Sequence, residues 1–180
     1  MKKIFFLAVI SICLFVQLSA QTGKKTRFGI KGGLNHTVIN GYQLNGEKTG
    51  FVGTSIYGAL FAETHLGPGT YLVNEVLFSW TNDWHFIEVP FFIKQMLTQR
   101  LSVFLWPKLD LAADKFDNGK GSKSDFCGLS LETGVQFNFT KRLFAEGRYT
   151  IGLSKQFKDE SFDINDGRRN NLRFGGGFRF

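Results

Sequence analysis

The strongest constraint on this chain is a strict two-residue alternation of apolar and polar side chains, clearest over its last ten residues. Leu172, Phe174, Gly176, Phe178 and Phe180 fall on one side of an extended strand, and Arg173, Gly175, Gly177 and Arg179 on the other. A helix, repeating every ~3.6 residues, would scatter both sets over all its faces. From Leu143 to Ser154 the pattern recurs, with Leu143, Ala145, Tyr149, Ile151 and Leu153 apolar and Glu146, Arg148, Thr150 and Ser154 polar. In Cys127 to Phe139, Leu129, Leu131, Val135 and Phe137 alternate with Ser130, Glu132, Gln136 and Asn138. In Leu101 to Asp114, Leu101, Val103, Leu105, Leu109 and Leu111 oppose Ser102, Lys108 and Asp110.

Earlier segments are less regular. His85 to Gln95 sets Ile87, Val89, Phe91 and Ile93 against Glu88 and Lys94, with Pro90 leaving one ladder position without a donor. Arg27 to Asn35 and Phe51 to Glu63 read as glycine-rich strands. Tyr71 to Trp80 is the weakest, because Asn74 and Glu75 lie on opposite faces; Glu75 is placed inside and Asn74 has no assigned role. These eight segments predict an all-β, eight-stranded antiparallel transmembrane barrel, apolar towards lipid and charged within.

Connections alternate in length in the same sense. Short links at residues 66–69, 97–100 and 140–142 suit periplasmic turns, and longer polar links at about 39–49, 115–125 and 155–171 suit outer loops. The short link between Trp80 and Trp84 breaks this rule, and the two indoles suit interfacial anchors.

Export is written into the first residues. Lys2 and Lys3 precede an apolar run from Ile4 to Val16, and Leu18-Ser19-Ala20 supplies a small residue for cleavage before Gln21. The run falls short of the roughly 20 residues of a spanning helix. Residues 1–20 are therefore expected to be a cleaved signal peptide and 21–180 one barrel domain, destined for the outer membrane. A composition of 21 Phe, 21 Gly and 3 Pro favours aromatic-rich strands over helices. The net charge of +7 falls to +5 once Lys2 and Lys3 leave, and its even spread along an exported chain argues against nucleic acid and for anionic lipid or lipopolysaccharide. Only Cys127 then remains, so no internal disulfide is expected.

In Phe28-Gly29-Ile30-Lys31-Gly32-Gly33-Leu34-Asn35, in Phe86-Ile87-Glu88-Val89-Pro90-Phe91-Phe92-Ile93-Lys94, in Leu143 to Leu153 and in terminal Phe180, the chain resembles the PorT family of outer-membrane β-barrel proteins. The resemblance implies an outer-membrane location and an eight-stranded barrel. Founding members are associated with a secretion and gliding apparatus, a role that fold alone does not transfer.

Inside the expected barrel, Lys31, Lys94, Lys108, Arg148, Arg173 and Arg179, with Arg27, meet Glu75, Glu88, Asp110, Glu132 and Glu146. Opposite charges enclosed together satisfy one another, so a structural network is the expected role, and a proton or ion path the sharper alternative. Phe92, Phe104 and Trp106, expected to project inward, argue against an open pore. Phe174, Phe178 and Phe180 resemble the signal read by barrel-assembly machinery, which adds a free strand edge to another sheet.

No catalytic, cofactor or metal site is expected. His36, His65 and His85 stand apart, and the approach of His85 to Ser79 does not make a triad. Asp159, Glu160, Asp163, Asn165 and Asp166 form an acidic loop without EF-hand spacing, better read as a solvated loop. The expectation is a structural or interaction barrel whose outer loops contact lipopolysaccharide or an envelope partner. A lipid-modifying barrel enzyme and a soluble periplasmic lipocalin-like barrel are the alternatives.

Overall fold

Each alternating segment forms a strand, and every strand finds an antiparallel neighbour. The computed structural model describes residues 25–42, 46–81, 84–112, 123–124, 127–154, 157–159 and 164–180. Its strands are β1 (Thr26–Tyr42), β2 (Lys48–Gly67), β3 (Thr70–Thr81), β4 (Trp84–Met96), β5 (Leu101–Ala112), β6 (Lys123–Ser124), β7 (Cys127–Asn138), β8 (Leu143–Gly152), β9 (Phe157–Asp159) and β10 (Ile164–Arg179). The order is β1-β2-β3-β4-β5-β7-β8-β10, and β10 pairs back onto β1, so eight long strands close on themselves. Closure leaves no free strand edge facing lipid. The expected signal peptide, residues 1–20, lies outside the described residues.

Burial is inverted relative to a water-soluble protein. Among the described residues 22 buried side chains are polar or charged and eight are apolar, while Phe28, Ile30, Leu34, Ile56, Leu60, Leu105, Val135 and Phe174 stand exposed on the outside. Such a surface is stable against acyl chains and unfavourable in water. It fits an outer-membrane barrel and contradicts the soluble lipocalin-like alternative, whose apolar face would line the interior.

The start of β1, the end of β10 and the tight turns share one end, which by barrel convention is periplasmic. Two of these turns use one local device. In the turn from Leu97 to Leu101, the amides of Arg100 and Leu101 donate to Thr98 Oγ1 at 3.2 and 3.0 Å. In the turn from Phe139 to Leu143, the amides of Arg142 and Leu143 donate to Thr140 Oγ1 at 3.1 and 2.9 Å. The sequences Thr98-Gln99-Arg100-Leu101 and Thr140-Lys141-Arg142-Leu143 thus form equivalent hydroxyl-stapled turns.

At the opposite end the strands run further than alternation indicates. Of the expected link at 39–49, residues 39–42 and 48–49 are strand, with Tyr42 paired to Lys48. The expected loop at 155–171 contains β9 and the first half of β10, and β10 pairs with β9, which pairs with β6. Polar runs such as Arg168-Arg169-Asn170-Asn171 lack the apolar member that makes alternation visible, although their backbones still pair across the sheet.

Pro90 interrupts a ladder as expected: β3–β4 pairing passes from Asn74↔Phe91 to Leu77↔Glu88 with a gap opposite Pro90. Large inward rings lie against inward glycines on the adjoining strand. A Cβ at Gly177 would fall 2.2 Å from Phe144 Cζ, and one at Gly134 would fall 2.4 Å from Phe104 Cζ. Phe144 and Phe104 are the direct ladder partners of those glycines, so the missing side chain is what lets each ring lie flat along the wall.

Candidate functional site

The barrel interior is a column of charge interrupted by one aromatic layer. Nearest the outer end, Glu88 of β4 accepts from Lys108 Nζ at 2.6 Å, from Arg169 Nη1 at 3.1 Å, and from Arg173. Glu132 of β7 accepts from Arg148 Nη1 and Thr150 Oγ1, both at 2.9 Å, and from Arg173 Nη1 at 3.2 Å. Arg173 therefore couples two carboxylates, and its Nε donates to Asn35 Oδ1 at 3.1 Å.

At mid-height Arg148 is the hub. It grips Glu75 through Nη1 at 2.9 Å and Nη2 at 2.7 Å, and its Nη2 also donates to Glu146 at 2.9 Å. Lys31 pairs with Glu75 and, at 3.3 Å, with Glu146, while the Tyr57 hydroxyl donates to Glu146 at 3.2 Å. A bidentate guanidinium among three carboxylates satisfies charges that would be costly to enclose singly.

Below this hub Phe61, Val73, Phe92, Phe104 and Phe144 form an apolar layer, with Tyr71 against it. Phe92 and Phe104 stack at 4.6 Å, and Phe61 meets Phe144 edge-on at 5.7 Å. Cations cap both sides of the layer. Arg148 lies 5.0 Å from the Phe92 and Phe104 centroids above, and Arg179 lies 4.5 Å from Phe144 below. Under the layer Glu63 accepts from Lys94 Nζ at 2.6 Å and Arg179 Nε at 3.2 Å. In a barrel of this strand number, whose bore is only wide enough for side chains, rings from four strands fill the cross-section.

Of the residues expected in the charge network, Lys31, Glu75, Glu88, Lys94, Lys108, Glu132, Glu146, Arg148, Arg173 and Arg179 are brought together and buried. The side chain of Asp110 lies outside the described residues. Two expectations need correction. Arg27 is exposed at the inner rim instead of buried, since it occupies the second position of β1, beyond the packed layers. Trp106 is 37% exposed, and the space beside Phe92 and Phe104 is taken by the Arg148 guanidinium.

Sequence reading missed Glu63, Tyr57 and Arg169. Arg169 was assigned to a loop, yet it stands two strides before Arg173 on the same face of β10. Glu63 follows Tyr57, Ala59 and Phe61 on the inward face of β2 by the same parity. Asn74, left without a role, is buried on the opposite face of β3 from Glu75, with its Oδ1 unpaired among the described residues.

Ser79, considered as a nucleophile, is built into the network: its Oγ donates to Glu88 at 3.2 Å and accepts from Arg169 Nη2 at 3.3 Å. Its suggested partner His85 has its side chain outside the described residues, as do the acidic side chains of residues 159–166. His36 bonds Thr54 at 2.9 Å on the outer wall, and His65 packs edge-on against Tyr71. Among the described residues no three His, Cys, Asp or Glu side chains gather in a metal-binding group. Phe174 and Phe180 are exposed, 60% and 71%, and Phe178 meets Phe180 edge-on at 5.8 Å.

A closed antiparallel barrel, apolar outside and packed with paired charge inside, belongs to the class of small eight-stranded outer-membrane β-barrels. Solved structures of that class are similar to this chain in fold. Neisserial surface protein A shares 15% identity over 85% of this chain and 97% of that chain, with a TM-score of 0.55. Ail, the attachment invasion locus protein of Yersinia pestis, in complex with the heparin analogue sucrose octasulfate, shares 13% identity over 87% of this chain and 99% of that chain, with a TM-score of 0.53. No protein-family model matches the chain, and no curated protein matches it.

Proposed function

We propose that this chain is a non-catalytic surface barrel of the PorT type whose outer rim engages the phosphate-bearing core of lipopolysaccharide. The observation that carries this reading is strand structure in excess of the span. About 9–11 residues cross the membrane as a tilted strand, whereas β1, β2 and β10 have 17, 20 and 16. Because the opposite end finishes in tight turns, the surplus of β1 and β2 stands at the outer rim. Exposed Lys48 and Arg168 lie there on the outward-facing side of neighbouring ladder positions, Lys48 beside Tyr42 and Arg168 beside Asn40. Two exposed cations flanking β1 at its outer end suit anionic sugar phosphates.

The PorT assignment rests on the resemblance around Phe86 to Lys94, and the geometry gives that stretch a physical basis. Glu88, Pro90, Phe92 and Lys94 all lie on the buried face of β4, where they supply an outer anchor, a ladder break, part of the aromatic layer and an inner anchor. The lipid-modifying alternative is weaker, because the Ser79 hydroxyl is held between Glu88 and Arg169.

Affinity purification from the native outer membrane tests the proposal. Lipopolysaccharide is expected to copurify with the barrel and to be reduced in the Lys48→Gln/Arg168→Gln variant, with heat-modifiable migration retained. Equal retention by the variant would reject the rim site. Ser79→Ala should leave the mass of lipid A unchanged; a changed mass would restore the enzymatic alternative.

A further inference from the structure

The periplasmic mouth of the barrel opens into a cavity of about 420 Å³ beneath the aromatic layer. Its wall holds Arg27, Lys94, Arg100, Lys141 and Arg179 against a single carboxylate, Glu63. Lys94 and Arg179 already share that carboxylate, at 2.6 and 3.2 Å. Arg27, Arg100 and Lys141 are exposed at the rim, and no carboxylate among the described residues pairs with them. Five cations around one anion in a concave mouth focus a positive potential into the cavity.

A second observation points the same way. Ser102 is fully buried in the cavity wall, and its Oγ has no hydrogen-bond partner among the described residues. A buried hydroxyl without a partner is costly, and such groups are ordinarily completed by water or a ligand. Asn138 in the same wall is satisfied within the protein: its Oδ1 accepts from Gln136 at 2.8 Å and Arg179 at 3.0 Å, and its Nδ2 donates to the Arg100 carbonyl at 3.2 Å. The surplus of donors is therefore local to the cavity.

We infer that this periplasmic vestibule is a binding site for a phosphate group, held between Arg100, Lys141 and the Lys94–Arg179 pair with the Ser102 hydroxyl as a further donor. The site is distinct from the outer rim and does not rest on the function proposed above. A tetrahedral phosphate anion offers oxygens to several cationic donors at once, as charge-assisted hydrogen bonding requires. The aromatic layer closes the top, so the group enters from the periplasm. It is either free phosphate or the headgroup of a phospholipid in the inner leaflet bordering the mouth.

The test uses the mature chain refolded in a detergent without phosphate, titrated with inorganic phosphate at constant ionic strength while amide resonances are followed. Saturable shifts confined to residues near Gln99 to Ser102 and Thr140 to Arg142 are expected, with chloride giving none. Arg100→Gln/Lys141→Gln changes only exposed turn side chains and should weaken binding about tenfold, and Ser102→Ala by about threefold. Shifts that fail to saturate, that chloride reproduces, or that the double variant leaves unchanged would overturn the site. Repeating the titration in phosphatidylglycerol nanodiscs separates the sources. Loss of the phosphate response there identifies the lipid headgroup as occupant, and an unchanged response identifies free phosphate.

Discussion

Arg148 shows what an enclosed charge does in this molecule. It faces Glu75, Glu132 and Glu146 from one strand position, with Phe92 and Phe104 beneath its guanidinium. Removing it takes a shared cation from three enclosed carboxylates, leaving Lys31 alone to neutralise Glu75 and Glu146 while Glu132 keeps Lys108 and Arg173. Arg148→Ala is expected to destabilise the barrel by about 3–5 kcal/mol, read as a lowered urea midpoint in lipid vesicles; wild-type stability would show that the lumen is well hydrated. The inward position of such residues was legible, because parity along β8 and β10 places Arg148 and Arg173 without knowledge of their neighbours. Their partners were not, since Arg148 and Glu75 stand 73 residues apart and meet only when the sheet closes. Glu63 is not legible because both faces of β2 before it are apolar, Tyr57, Ala59 and Phe61 on one and Ile56, Leu60 and Ala62 on the other, so alternation does not mark the inward side.

At the scale of elements, the ring-on-glycine contacts decide how closely strands pack. Gly177→Ala would drive a methyl group into Phe144 and the Lys31 side chain, and is expected to cost about 1–3 kcal/mol. Phe144→Leu in the same chain should recover part of that loss. Gly134→Ala should resist the equivalent rescue by Phe104→Leu, because its methyl also meets the Gly147 carbonyl at 2.6 Å. Equal rescue at both positions would contradict the packing described.

The closing strand carries a further proposal. If the aromatic row Phe174, Phe178 and Phe180 guides insertion, Phe180→Asp should slow appearance of the heat-modifiable form in cells more than refolding into vesicles. An undiminished cellular yield would remove that role. Strand identity was readable wherever lipid imposes alternation, as in Leu143 to Leu153. It was lost beyond the span, where Asn40, Gly41, Arg168 and Asn170 pair in the ladder with no apolar face to mark them.

For the whole molecule, the decisive property is the direction of the apolar side chains. Closure of β10 on β1 turns a sheet with one greasy face into a cylinder, and the charged column then needs no water-filled bore. Ring closure is legible from the expected membrane location, since strands in lipid satisfy all their backbone groups only in a closed barrel. The depth of the plug is not, because the aromatic layer is assembled from β2, β3, β4, β5 and β8, each contributing one or two side chains.

Methyl-labelled protein in bicelles, with a nitroxide near the acyl-chain ends, tests that direction most directly. The methyls of Ile30, Leu34, Ile56, Leu60, Leu105, Val135 and Ile151 should broaden strongly, while Leu77 and Val73, buried inside the wall, should broaden far less. Broadening of Leu77 and Val73 with sparing of the outer set, or outer methyls relaxed instead by a water-soluble gadolinium chelate, would contradict the account.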